Sequence, residues 1–251
     1  KPLRPTPPEP LPVDPETIFK GNTGGCWIDF SDLTTMYSDL EGTIPVTDIG
    51  QPVALVTDKS GNGHFVSQTV LNKRPIVTTT DTGRYCLQFS GNQSLNFNKA
   101  QIDNTSLFAD ANQSFTVITN GETITSGTSV GRCASSSREF QIYYHTGAND
   151  TPVIVSRDYY NRTGWAKKDG AFHTVGVTWD GTQMRAWFDQ LENRENLIVG
   201  GDPEDMSQHI CIGSRSNGSS FYFNGRLKGV VIVDRALNDL ESRGVTEYFN
   251  V

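Results

Sequence analysis

The densest gathering of groups able to recognise a ligand lies between residues 143 and 165. Tyr143, Tyr144, Tyr159, Tyr160 and Trp165 fall close to Arg157 and Asp158 in the sequence. Aromatic rings beside planar polar groups suit the apolar faces and hydroxyls of sugars. Tyr144, Arg157, Tyr159, Tyr160 and Trp165 are therefore the candidate ligand-binding set. SRDYYNRTGW reads as a loop or strand end, where binding groups concentrate. A strand would send adjacent Tyr143 and Tyr144 to opposite faces, so part of the set can equally be core.

Asp58 and Asn62, in the DKSGNGH stretch, are the candidate metal ligands. They could supply two of the 6–8 oxygens that calcium takes. The simpler reading is a turn in which glycine and asparagine tolerate positive φ and Asp58 accepts backbone N–H groups. No other cofactor is expected. His64, His145, His173 and His209 are isolated, without a partner at metal-ligand spacing; His173 reads as a strand residue with a satisfied hydrogen bond. Cys26, Cys86, Cys133 and Cys211 are far apart and read as free thiols, with one or two disulfides as the alternative for a chain maturing outside a cell.

Catalytic patterns are weak. GTSVG, from Gly127 to Gly131, matches the G-x-S-x-G nucleophile pattern, but that motif needs a strand, a sharp turn and a helix. The following RCASSSREFQIYY is not helical. Glycosidases need two converging carboxylates, and no run of alternating acids occurs on one strand. Asp202, Glu204 and Asp205 sit in a Gly/Pro loop, and Glu192 and Glu195 in a connection. The chain is expected not to be an enzyme.

The 251 residues carry a net charge of −7 with acids and bases interspersed. Without a basic stripe, nucleic acid is not an expected partner. No apolar run approaches the ~18 residues of a membrane span, so membrane insertion is not expected. The start at Lys1, without Met or a signal peptide, suggests a processed chain or a piece of a longer one. Asn92, Asn104, Asn112, Asn149, Asn161 and Asn217 stand in sequons, several of which arise by chance in a chain so rich in Asn, Ser and Thr.

Elements must position these groups. Residues 1–20 form an arm, with prolines at Pro2, Pro5, Pro7, Pro8, Pro10, Pro12 and Pro15. Proline fixes φ and lacks the N–H donor, so KPLRPTPPEPLPVDPE should be neither helix nor interior strand. As polyproline II, about 15 residues span up to ~45 Å. Such an arm could be a passive spacer or could dock on a neighbouring subunit. Ser31 is placed to cap a short helix with Leu33, Met36, Tyr37 and Leu40 on one face. From there the period is two. Val53-Ala54-Leu55-Val56, RYCLQFS, SFTVIT and EFQIYYH read as strands. FHTVGVTWDGTQMRAWFD reads as a hairpin turning at Asp180-Gly181. FNGRLKGVVIVDRAL is apolar on both faces, and ALNDLESRGVTEYF should be a terminal helix with a capping box at Asn238 and Glu241.

Three stretches resemble one family. WIDFSDLTTMYSD with DKSGNGH is similar to the opening of laminin-G-like, concanavalin-A-like domains, especially those of bacteriophage virion proteins. AFHTVGVTWDGTQMRAWFD resembles their central hairpin, with Phe172 in place of the tryptophan that precedes the histidine. ICIGSRSNG and FNGRLKGVVIVDRALNDLE resemble their last strands and terminal helix. The resemblance spans residues 26–251. It implies an all-β jelly-roll β-sandwich over residues 21–251: two antiparallel sheets of six or seven strands, one convex and one concave, with short helices near the N-terminus and at the C-terminus. Any ligand would sit on loops at one end or on the concave face.

It further implies a lectin-like module on a virion surface, outside the cell. There it would adhere to host-surface glycan and be fastened to other virion proteins by the arm, in many copies and as a homo-oligomer. Alternatives are a structural decoration or fibre domain, and a carbohydrate-binding module attached to a glycan hydrolase. The fold alone does not decide among them.

Overall fold

The computed structural model describes residues 13–21, 23–97, 114–125, 127–133, 138–144, 152–156, 159–162, 169–197, 210–215 and 221–251. Helix α1 (Pro15–Ile18) leads into β1 (Gly25–Asp29), β2 (Met36–Tyr37), β3 (Leu55–Thr57), β4 (Phe65–Ser67), β5 (Ile76–Thr79), β6 (Tyr85–Ser90) and β7 (Leu95–Phe97). Next come β8 (Phe115–Thr125), β9 (Gly127–Cys133), β10 (Arg138–Tyr144), β11 (Pro152–Ser156) and β12 (Tyr159–Arg162). The chain closes with β13 (His173–Trp179), β14 (Met184–Phe188), β15 (Gln190–Leu197), β16 (Ile210–Ile212), β17 (Asn224–Val233) and α2 (Asp239–Asn250).

The strands make two antiparallel sheets. One runs β15-β14-β13-β8-β17-β6-β5, with β1 also paired to β17. The other runs β12-β11-β10-β9-β16-β7-β4-β3-β2. This is the expected jelly-roll sandwich, but the sheets have 8 and 9 strands rather than six or seven. The surplus comes from pieces of two or three residues, such as β2, β3, β4 and β16, too short to show a period.

Period two explains how one sequence fills two cores. On β17, Leu227, Val230 and Ile232 point between the sheets, towards Val117, Val177, Phe89 and Ile212. Val231 and Val233 point the other way, into a second core with Ile18, Trp27, Trp187, Leu237, Val245 and Phe249. The strand is buried on both sides because α1 and α2 cover its sheet from outside. Each large side chain removed from water there contributes roughly 1.5–3 kcal/mol.

Local signals hold at the central hairpin and the terminal helix. Trp179 pairs with Met184 across the β13–β14 turn, where Gly181 alone has positive φ, 94°, as at the first central position of a primed hairpin turn. The Asp180 carboxylate accepts the Thr182 and Gln183 N–H groups at 2.9 and 2.8 Å. The Thr182 hydroxyl and these amides hold its pKa down at about 2. Asn238 and Glu241 form the expected capping box on α2.

Two expectations fail near the N-terminus. Ser31 does not cap a helix: its N–H and hydroxyl both bond Asp29 Oδ1. Asp32 instead caps a single 3-10 turn, Leu33–Thr35, after which Met36 enters β2 opposite Val56. Nor does the proline-rich segment stay extended to Glu16. Pro15 opens α1, with Asp14 accepting the Glu16 N–H at 2.8 Å; proline suits a first helical turn, whose N–H has no partner to lose. Residues 1–12 lie outside the described residues.

Candidate functional site

The sheet covered by helices is the first constraint. Trp187 Nε1 donates to Thr246 on α2 at 3.1 Å, and Trp27 meets Tyr248 edge-on at 5.3 Å between ring centroids. The clefts beside α2 are lined by charges that answer each other: Arg194 grips Asp239 with two bonds of 2.7 and 2.8 Å, and Arg243 holds Glu192 at 2.7 Å. A polar ligand would have to compete with these pairs.

The opening motif is a brace. Asp29, fully buried, accepts Ser31, Lys59 Nζ at 3.0 Å and the Tyr248 hydroxyl at 2.6 Å. Lys59 also reaches Asp32 at 2.9 Å and lies 4.7 Å from the Trp27 ring centre. Burial disfavours its charge, but the bond to Asp32 and the charge of Asp29 prevail and raise its pKa.

The candidate calcium ligands belong to the same brace. Asp58 Oδ1 takes the N–H groups of Trp27 at 2.7 Å and Ser60 at 2.8 Å, and Oδ2 takes the Ser60 hydroxyl. Asn62 donates its amide to the Thr23 and Gly25 carbonyls at 3.0 and 2.9 Å. Both side chains tie the DKSGNGH turn to β1, and calcium would have to displace the donors on Asp58. Among the described residues, no three His, Cys, Asp or Glu side chains gather as a metal site.

His173 is a satisfied strand histidine held by two carboxylates. Nδ1 lies 2.8 Å from Asp189 and Nε2 3.0 Å from Asp169. Burial pushes the imidazole pKa down, and the bonds to Asp189 and Asp169 outweigh that and raise it. Cys26, Cys86 and Cys211 are buried, and Cys26 and Cys86 are free thiols; burial pushes the Cys86 thiol up to about 12.

Three of the aromatic candidates fall on two strands near one edge of the nine-stranded sheet. Tyr144 ends β10, and Tyr159 and Tyr160 open the edge strand β12. Tyr160 is aligned with Val155 and Gln141, and Tyr159 with Ser156 and Phe140. Tyr144 is aligned with Pro152, about 10 Å across and about 13 Å along the sheet from Tyr159. Tyr159 and Tyr160 are consecutive on β12, positions that alternate between the two faces of a strand, and the register holds Tyr144 apart from both. Arg157 and Trp165 lie outside the described residues.

A cluster not singled out in the sequence stands at the loops beside β5, β7 and β17. Lys73 Nζ lies 3.5 Å from the Tyr222 hydroxyl and 6.0 Å from its ring centre. The Arg215 guanidinium sits 5.2 Å from the Phe221 ring centre. Phe221 is 51% exposed and has a left-handed φ of 49°, uncommon for a bulky side chain. Backbone bonds join these loops: Ser94 N–H to Lys73 O at 3.2 Å, Gly91 N–H to Phe223 O at 3.1 Å and Phe223 N–H to Gly213 O at 2.8 Å. Gly213 is required there, because its φ is 84° and a Cβ would lie 2.4 Å from the Phe89 ring. The only sequence signal was an aromatic triplet inside a Ser/Asn/Gly-rich loop.

The model of the concanavalin A-like lectin/glucanases superfamily matches residues 89–241, more than half of the chain. The chain belongs to this superfamily. Its sandwich is shared with a mutant GH54 a-l-arabinofuranosidase soaked with a 4-nitrophenyl arabinofuranoside. That match has a TM-score of 0.63 and 13% identity, over 94% of this chain and 65% of the other. An arabinofuranosidase complexed with arabinofuranosyl-alpha-1,2-xylobiose gives the same score and identity, over 94% and 64%. Trypanosoma rangeli sialidase, in complex with 2,3-difluorosialic acid, matches at 0.56 and 15% identity, over 90% and 33%. The superfamily chain thus spans less than two thirds of each of these proteins. No curated protein matches it.

Proposed function

We propose that this superfamily member is a non-catalytic glycan-binding module, displayed on a bacteriophage virion through its proline-rich arm and recognising bacterial surface polysaccharide. The observation that carries the reading is the division of labour between the sheets. Both described helices pack on the eight-stranded sheet, while the tyrosine-bearing strands lie at the edge of the other. Lectins and glucanases share this superfamily, and the similar solved proteins above bear sugar ligands, which agrees with a sugar for this chain.

Binding without catalysis is supported by how several of the described acids are held. Among the described residues, Lys59 sits between Asp29 and Asp32, His173 between Asp169 and Asp189, and Arg226 between Glu122 and Asp81. A carboxylate locked in such a pair is poorly placed for acid–base work on a glycosidic bond. Weak single-site affinity becomes useful when many copies act together, which suits a homo-oligomer on a particle. Calcium at Asp58 and Asn62 would be an accessory.

The test is retention of the oligomerised chain on immobilised bacterial polysaccharide, with and without calcium. Tyr160→Ala and Trp165→Ala should each weaken retention with the melting temperature unchanged. Retention indifferent to both would overturn the assignment of the site to these residues. Retention by purified virion proteins and by no polysaccharide would make the chain a structural decoration domain.

A further inference from the structure

We propose that the loop cluster of Lys73, Phe221 and Tyr222 is a subsite for a carboxylated sugar, of the uronic or sialic type. The inference rests on the glycan-binding reading and adds the class of sugar and a second place of contact.

The first observation is the charge. Lys59, Arg194, Arg226 and Arg235 are held by carboxylates, and Arg74 and Arg84 donate to backbone carbonyls. Lys73 has no carboxylate partner among the described residues; its ammonium meets only the Tyr222 hydroxyl, at 3.5 Å. In a chain of net charge −7, a cation left without an acid is a place for an anion from outside. An ammonium is a compact charge that serves a carboxylate without demanding a fixed fork geometry.

The second observation is independent of charge. Phe221 keeps half its surface in water while its backbone sits in the left-handed region. Such a conformation is unfavourable for a bulky side chain and persists where the surroundings enforce it. The enforcement is visible: Phe223 is bonded to both Gly213 and Gly91, and the Arg215 guanidinium supports the Phe221 ring at 5.2 Å. The result is a solvent-facing aromatic ring one residue along the chain from Tyr222, the side chain that the Lys73 ammonium meets. A pyranose carrying a carboxylate presents the matching surfaces, an apolar C–H face for the ring and an anion for Lys73. A neutral sugar would use the ring alone.

The experiment compares the intact chain with two variants on biotinylated sialyllactose and oligogalacturonate, against lactose and an oligogalactoside. Lys73→Gln removes the charge and keeps the length. Phe221→Gly removes the ring and relaxes the left-handed backbone, so it should fold at least as well. The expected result is preference for the acidic probes, weakened by added salt. Lys73→Gln should reduce their affinity about tenfold and leave neutral probes unaffected, and Phe221→Gly should weaken both. Binding to neutral probes alone, or acidic binding indifferent to both variants, would overturn the subsite and leave the glycan reading standing. Binding to no probe of either kind, with the fold intact by circular dichroism, would overturn both.

Discussion

The hydroxyl of Tyr248 on α2 donates to the buried carboxylate of Asp29 on β1, 2.6 Å away and 219 residues apart in sequence. That bond joins the helix to the first strand over the outer core. Tyr248→Phe keeps the edge contact with Trp27 and removes one donor from an anion that cannot reach water. The expected loss is about 1–3 kcal/mol, read as a lower midpoint with an unchanged slope in urea unfolding. Asp29→Asn in the same background should give less than the sum of the two single effects, because the partners share one bond.

His173 makes stability depend on pH in a direction fixed by its partners. Its folded pKa is raised above 6.5, because the bonds from Asp189 and Asp169 outweigh burial. A raised histidine contributes stability that is fully present below 6.5 and is lost as pH rises through the folded pKa. Asp169 is lowered by its bond to His173, so its share is lost as pH falls below 3.8. The clip is strongest between these limits. Melting temperature against pH should fall on the alkaline side of 6.5 in the intact chain, and His173→Gln should flatten that limb.

The capping box predicts a local cost with a distant consequence. Asn238→Ala leaves the Glu241 N–H without its side-chain acceptor and should cost about 1 kcal/mol. Because α2 carries Val245 and Phe249 into the outer core, protection of the buried β17 amides against hydrogen exchange should fall together with that of the helix.

What was legible in the sequence was local. The β13–β14 hairpin carries its register in alternating residues and its turn in Asp180-Gly181, and α2 carries its start in Asn238 and Glu241. The stretch after Ser31 misled because Leu33, Met36 and Tyr37 have helical spacing, while the Asp29 carboxylate captures the Ser31 N–H and a tertiary partner, Val56, draws Met36 into a strand. The Lys73 cluster was illegible because its meaning lies in a contact across 149 residues. The role of Asp58 was half legible: the turn was read from Gly61 and Gly63, but its tie to the Trp27 backbone needed the fold.

Glycan recognition by this sandwich is tested by a screen of the oligomerised chain on an array of bacterial polysaccharides and acidic and neutral oligosaccharides. The expected result is saturable binding to a restricted set, competed by the free sugar. A folded, oligomerised chain that binds none of them would contradict it.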